Sequence, residues 1–176
     1  RKKVEEYLIS LDKPVASLFL GEVPENHYEG YYKAETLEEL AILGINLLEN
    51  KQPETIVNEG TVEESNGTIK GLYTGGTLAT EAAFLIERSL GKDVELSHEH
   101  GYILNHDGFE IIDLGDDVYT QGKPHPMIDP TARLPFIIEA GKDKNTKVIV
   151  LDVVLGYGAN EDPAETLIST IKEVLS

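Results

Sequence analysis

Short apolar runs alternate with amphipathic stretches along most of the chain, and that alternation is the pattern of helices packed on a mostly parallel sheet. The runs at 14–20, 68–74, 94–96, 109–114 and 147–154 are read as five strands, the one at 94–96 being short and weak. Between them, residues 36–48, 76–90, 130–140 and 163–175 carry helical periodicity. Thr36 is the expected N-cap of the first, with Glu39 at the capping-box spacing. Asp129-Pro130 and Asp162-Pro163 supply a capping acid and a first-turn proline to the last two. Pro135 is expected to kink or shorten the third helix. The polar stretches 50–67 and 97–108 are read as loops.

Neither loop is long enough to separate two full domains, and no repeat or low-complexity tract interrupts the pattern. The expectation is therefore a single α/β domain over residues 1–176, a flavodoxin-like three-layer arrangement with a mostly parallel five-stranded sheet. The 32 acids outnumber the 15 lysines and arginines, for a formal charge of -17, which argues against a broad nucleic-acid or anionic-lipid surface but leaves room for a small anion at a local site. Residues 35–64 carry eight of the acids against one lysine and read as a solvated face. The absence of cysteine excludes disulfides, zinc–thiolate sites, iron–sulfur clusters and a cysteine nucleophile. No apolar run approaches the roughly 20 residues of a membrane helix, and cytoplasm is the default location. The chain starts Arg1-Lys2-Lys3 without an initiator methionine, as an excerpt of a longer polypeptide would.

In an open parallel sheet, ligands bind beyond the carboxyl ends of the strands, so the segments leaving the strands are where chemistry is sought. After the second strand, Thr74-Gly75-Gly76-Thr77 opens a helix, offering free N–H groups and close backbone approach to an anion, or simply solving a sharp bend. It matches neither the P-loop nor the dinucleotide fingerprint. After the fourth strand, Asp116-Asp117 could hold magnesium, supply acid/base chemistry or merely cap a turn. His125 lies between Pro124 and Pro126, which fix the backbone around a candidate proton-transfer imidazole or serve the loop alone. Arg133 either clamps an anion or pairs with an aspartate. Asp113 and Asp152 sit at apolar strand ends, where each caps a turn or meets a ligand. Gly156 and Gly158 follow the last strand as further ligand-binding candidates. His98, His100 and His106 show a superficially metal-like clustering, but in a loop with no fixed second-shell partner visible, so no metal site is expected.

These strand-end segments carry a resemblance. Lys13-Pro14-Val15 with Gly21, the turn from Gly71 to Thr77, the block Ile111 to Asp117, the block Gly122 to Pro130 and the block Leu151 to Pro163 together resemble the FdrA family of acyl-CoA-synthetase-like proteins. That family is related to the ligase domains of succinyl-CoA synthetase and ATP-citrate lyase, and the resemblance covers nearly the whole chain. It implies a CoA-ligase domain joined to a Rossmann-type CoA-binding domain, with CoA or another phosphate-containing ligand, magnesium when a nucleotide is present, and partner subunits. It also implies a place in anaerobic allantoin breakdown, as a carbamoyltransferase component acting on oxalurate-like substrates. The Gly-His-Ala-Gly-Ala loop through which succinyl-CoA synthetase transfers phosphate has no counterpart at any of the five histidines.

Two functional readings follow. In the first, the chain is the ligase-like part of a multidomain ligase or transferase for a small anionic substrate. In the second, it is a non-catalytic module that docks partner subunits. Self-association through apolar edges is compatible with both. A phospho-accepting receiver domain is disfavoured, because such a domain needs an acid pair after the first strand and a lysine after the fifth, whereas the pair here follows the fourth.

Overall fold

The computed structural model describes residues 2–22, 28–49, 51, 66–91, 94, 96–97 and 99–175. Where the sequence suggests one domain, the chain divides into two compact units, Arg1–Val62 and Glu63–Ser176.

The first unit begins with helix α1 (Lys2–Ile9) and continues through strand β1 (Val15–Leu18), strand β2 (Tyr31–Ala34) and helix α2 (Leu37–Leu48). β1 pairs in parallel with β2, from Val15 opposite Tyr31 to Leu18 opposite Ala34. The expected first strand thus exists, but in a two-stranded sheet of its own and not in the large one. Among the described residues of this unit, Tyr31 and Ala34 of β2 and Leu43 of α2 are the buried apolar ones. Lys33 bonds Glu5 at 2.6 Å. Thr36 accepts from the Glu39 N–H, while the Glu39 carboxylate accepts from the Glu35 N–H, so the start of α2 is capped from both sides.

The second unit holds β3 (Thr68–Tyr73), α3 (Gly76–Leu90), β4 (Tyr102–His106), β5 (Phe109–Asp113), the short α4 (Asp117–Thr120), α5 (Leu134–Lys142), β6 (Thr146–Leu151) and α6 (Pro163–Val174). The strand order is β4-β5-β3-β6, with β5, β3 and β6 parallel and β4 antiparallel to β5. Successive side chains of a strand point to opposite faces. Tyr73 and Ile111 accordingly join Ala79 and Ala83 of α3 in one core, while Leu72 and Ile112 join Ile137, Ala140 and Leu167 of α5 and α6 in the other. The result is three layers, a helix on one face of a parallel-dominated sheet and two on the other. The α/β class is as expected, and the sheet has four strands instead of five.

The difference lies in two places. Val94 and Leu96, read as a weak strand, pack on the α3 core without ladder pairing, and Glu95 lies outside the described residues. Residues 102–106, read as loop, are strand β4. Asp107 and Gly108 both have positive φ, 47° and 87°, as a two-residue hairpin turn of the I′ kind requires, and His106 pairs with Phe109 across it. A bulge between Tyr102 and Leu104 lets the consecutive Ile103 and Leu104 both enter the α3 core.

The remaining helix expectations hold closely. Asp129 and Asp162 cap their segments through the N–H groups of Thr131 and Glu165. Residues Pro130–Arg133 form a 3-10 turn, and α5 restarts at Leu134 with Pro135 in its first turn, where a missing N–H costs nothing. Residues 52–65 of the expected long loop lie outside the described residues. Among the described residues, no helix is long and apolar enough to cross a membrane.

Candidate functional site

The carboxyl ends of the three parallel strands lie side by side, and each ends in or runs into polar residues and glycines within two positions. β3 runs into Thr74-Gly75-Gly76, β5 ends at Asp113 and runs into Leu114-Gly115, and β6 runs into Asp152. The Leu114 N–H donates to the Tyr73 carbonyl at 2.8 Å and carries the β3–β5 pairing into the exit loops.

Asp152 and Arg133 close the floor. The Asp152 carboxylate accepts from the Thr74 N–H at 2.9 and 3.1 Å and from the Thr74 hydroxyl at 2.7 Å. Arg133 is 2% exposed. It donates to the Asp152 and Leu72 carbonyls, both at 2.8 Å, and lies 3.4 Å from the Asp152 carboxylate. Burial lowers the Arg133 pKa from the usual guanidinium range, and the Asp152 charge opposes that. Of the two roles open to Arg133 from sequence, the structure therefore displays the aspartate pairing. Its terminal nitrogens are committed to the ends of β3 and β6, and its influence on a crevice ligand passes through Asp152.

Asp113 and His125 form the wall. Asp113 Oδ1 accepts from the Gly115 N–H at 2.9 Å. A Cβ on Gly115 would lie 2.5 Å from His125 Nε2, 2.5 Å from the Thr74 carbonyl oxygen and 3.1 Å from Asp113 Oδ1. Only glycine leaves room for the imidazole there. The His125 carbonyl accepts from the N–H groups of Ile128 and Asp129, and its Nδ1 accepts from the Met127 N–H at 3.2 Å. Together with the fully buried Pro126, these bonds hold the ring in place. Burial pushes the Asp113 pKa up; the Gly115 N–H pulls it back, Asp116 and Asp152 add to the rise, and His125 opposes it.

The start of α3 faces the same crevice. Gly75 is its N-cap, in extended conformation, and no side chain caps the helix. A Cβ at Gly75 would meet nothing within 4 Å, whereas one at Gly76 would lie 2.9 Å from Asp113 Oδ2. Thr77, in the first turn, is exposed. Free N–H groups, the positive end of a 15-residue helix and open space over Gly75 suit a small anionic group, including a phosphate of CoA.

Other residues singled out from sequence stand apart from this cluster. Asp116 caps α4 by accepting from the Val118 N–H, and Asp117 is exposed in the first turn of that helix. Gly156 and Gly158 have φ of 140° and 84° in an exposed loop, where added Cβ atoms would touch nothing. That loop is tied down by Asn160, which donates to the Met127 and Ile128 carbonyls. Of the three loop histidines, His106 lies on β4 beside Asp107, the His100 carbonyl accepts from Tyr119, and His98 lies outside the described residues. Among the described residues, no group of three His, Asp or Glu could hold a metal ion. Thr74 lies in the glycine turn that the sequence singles out, but its bond to Asp152 is not legible there, and Gly115 is not a site candidate on sequence grounds. The signal available for both was position, one or two residues beyond a strand end.

Comparison with known proteins places the chain in a family. The profile of the CoA-ligase family matches residues 72–175, from the end of β3 through α6. The uncharacterized protein YahF of Escherichia coli (strain K12) is 34% identical over 98% of this chain and 36% of its own length. The chain thus spans about a third of that relative.

Proposed function

The chain belongs to the CoA-ligase family, and from that premise we propose that it binds the anionic group of CoA, a phosphate or an acyl substrate at the start of α3. It does so as the ligase-type part of a larger ligase or carbamoyltransferase. The observation that carries this reading is the uncapped start of α3, open over Gly75 and flanked by Asp113 and Asp152. In an acidic chain such a ligand needs a local source of positive potential, and the helix terminus is one. The finer assignment, an FdrA-type component acting on oxalurate-like substrates with partner subunits, rests on the resemblance of the strand-end blocks.

The test is a thermal-shift panel with inorganic phosphate, CoA, ATP with and without magnesium, carbamoyl phosphate and oxalurate. A ligand that binds the folded state raises the midpoint by mass action. Gly75→Asp is the diagnostic variant, because its backbone admits any residue and its side chain has open space. Its carboxylate would satisfy the first-turn N–H groups itself and repel an anion. The expected result is a shift with at least one phosphate-bearing compound in the parent chain and none in Gly75→Asp. An equal shift in both would move the ligand away from α3. No shift with any compound would favour the docking-module reading, which draws support from the exposed Ile128, Val153, Leu155 and Tyr157 near the strand ends.

A further inference from the structure

β6 stands at a sheet edge with the sequence of an interior strand. Thr-Lys-Val-Ile-Val-Leu is almost continuously apolar, the pattern of a parallel strand covered on both faces. Among the described residues its one ladder neighbour is β3, and Val148 is 48% exposed. Edges are commonly protected by bulges, prolines or charges; β6 has an irregular step and Lys147 at its start, and residues 148–151 are left regular and open.

The surface beside this edge belongs to α6. A groove of about 520 Å³ runs between Ile149 and Leu151 of β6 and Ile171, Val174 and Leu175 of α6. Next to it, Glu165, Ile168, Lys172 and Leu175 share one arc of the helix and are all exposed. The side chains of Glu165 and Lys172 have no hydrogen bond or ion pair among the described residues. The two ends of the edge differ in charge. Lys142, Lys144 and Lys147 stand around the start of β6, with Lys172 toward the end of α6, whereas α6 opens on Glu161, Asp162 and Glu165. Of the two acids at the basic end, Asp143 and Glu173, the first is turned to the Asn145 N–H and the Thr146 hydroxyl. A second copy laid antiparallel along this edge sets the basic end of each against the acidic end of the other, while a parallel one sets like against like.

One twofold axis serves both elements. Val174 and Leu175 line the groove together with Thr146 and Lys147. From Thr146 to Ile149 a strand rises about 10 Å, which a helix covers in about six or seven residues, counted back from Leu175 to Ile168. We propose that the β6–α6 edge is an interface between two copies of this chain, with β6 antiparallel to its counterpart about Ile149 and Glu165 of each α6 meeting Lys172 of the partner subunit. Val148 then lies opposite Val150 of the partner subunit, Ile168 packs at the axis, and two four-stranded sheets become one continuous sheet.

Charge exchange tests this. In sedimentation equilibrium the parent chain should show a reversible monomer–dimer equilibrium. Glu165→Lys alone and Lys172→Glu alone should each weaken the dimer by about tenfold or more, since each sets like charges together at both contacts. The double variant Glu165→Lys/Lys172→Glu, and an equimolar mixture of the two single variants, should restore it. Both positions are exposed and lie seven residues apart on α6, so circular dichroism melting should be little changed. A parent chain that stays monomeric at millimolar concentration overturns the proposal. So does a dimer that both single variants leave unaltered, or one that the double variant fails to restore. Hydrogen exchange gives a second reading: the β6 amides turned away from β3 should be fast in the dilute single chain and slow once the dimer forms. Fast exchange there in a dimeric sample places the contact elsewhere and overturns the β6 pairing.

Discussion

Arg133 shows how a residue that reads as a ligand clamp becomes a structural tie. Its guanidinium joins the Leu72 carbonyl to both the carbonyl and the carboxylate of Asp152, and it is almost wholly buried. Arg133→Ala would strand a buried carboxylate, and breaking such a pair costs about 3–5 kcal/mol. Urea unfolding of the variant should register that loss. Asp113 carries the opposite sign of linkage. Its folded-state pKa is raised, so the folded chain binds more protons than the unfolded one between the ordinary carboxyl range and the raised value, and stability falls as pH rises through that window. Asp113→Asn should remove this fall, so that its stability relative to the parent improves from about pH 4 toward neutrality; denaturation midpoints measured across pH check it. Sequence announced a polar strand end at Asp113 and Asp152 but not which acid faces the crevice. The Asp116-Asp117 pair draws attention because two adjacent acids are visible in one dimension, while the approach of Asp113 to Gly76 exists only once β3 and β5 are paired.

Among the elements, β3 is packed closely against β5 at Gly71. A Cβ on Gly71 would lie 2.5 Å from Ile111 Cδ1 and 2.7 Å from the Tyr73 ring. Gly71→Ala should destabilise by about 1–3 kcal/mol through overpacking. Ile111→Val removes the nearest opposing atom, so the double variant should lose less than the sum of the singles in a urea double-mutant cycle. The four expected helices match closely because their signals are local: a capping side chain, a first-turn proline and a 3.6-residue period all lie within one segment, whereas α1 and the short α4 are not among the expected elements. Strands were read less well. β2 is four residues long and its parallel partner β1 lies well upstream, a pairing that no local pattern encodes. The β4–β5 hairpin did carry a local signal, Asp107-Gly108, but the neighbouring histidines and polar residues gave the segment the look of a loop.

For the molecule as a whole, every residue of the two cores flanking the large sheet belongs to the second unit. Residues 63–176 produced alone should therefore unfold cooperatively, with coincident circular dichroism and tyrosine-fluorescence transitions; a gradual, non-coincident melt would show that the rest of the chain is required. The strand order also distributes protection unevenly. β6 ends the sheet, and among the described residues its one ladder neighbour is β3. Deuterium should enter its amides in an alternating rhythm, slowly at those that donate to β3 and fast at those turned outward, so that one strand carries the kinetics of both interior and surface.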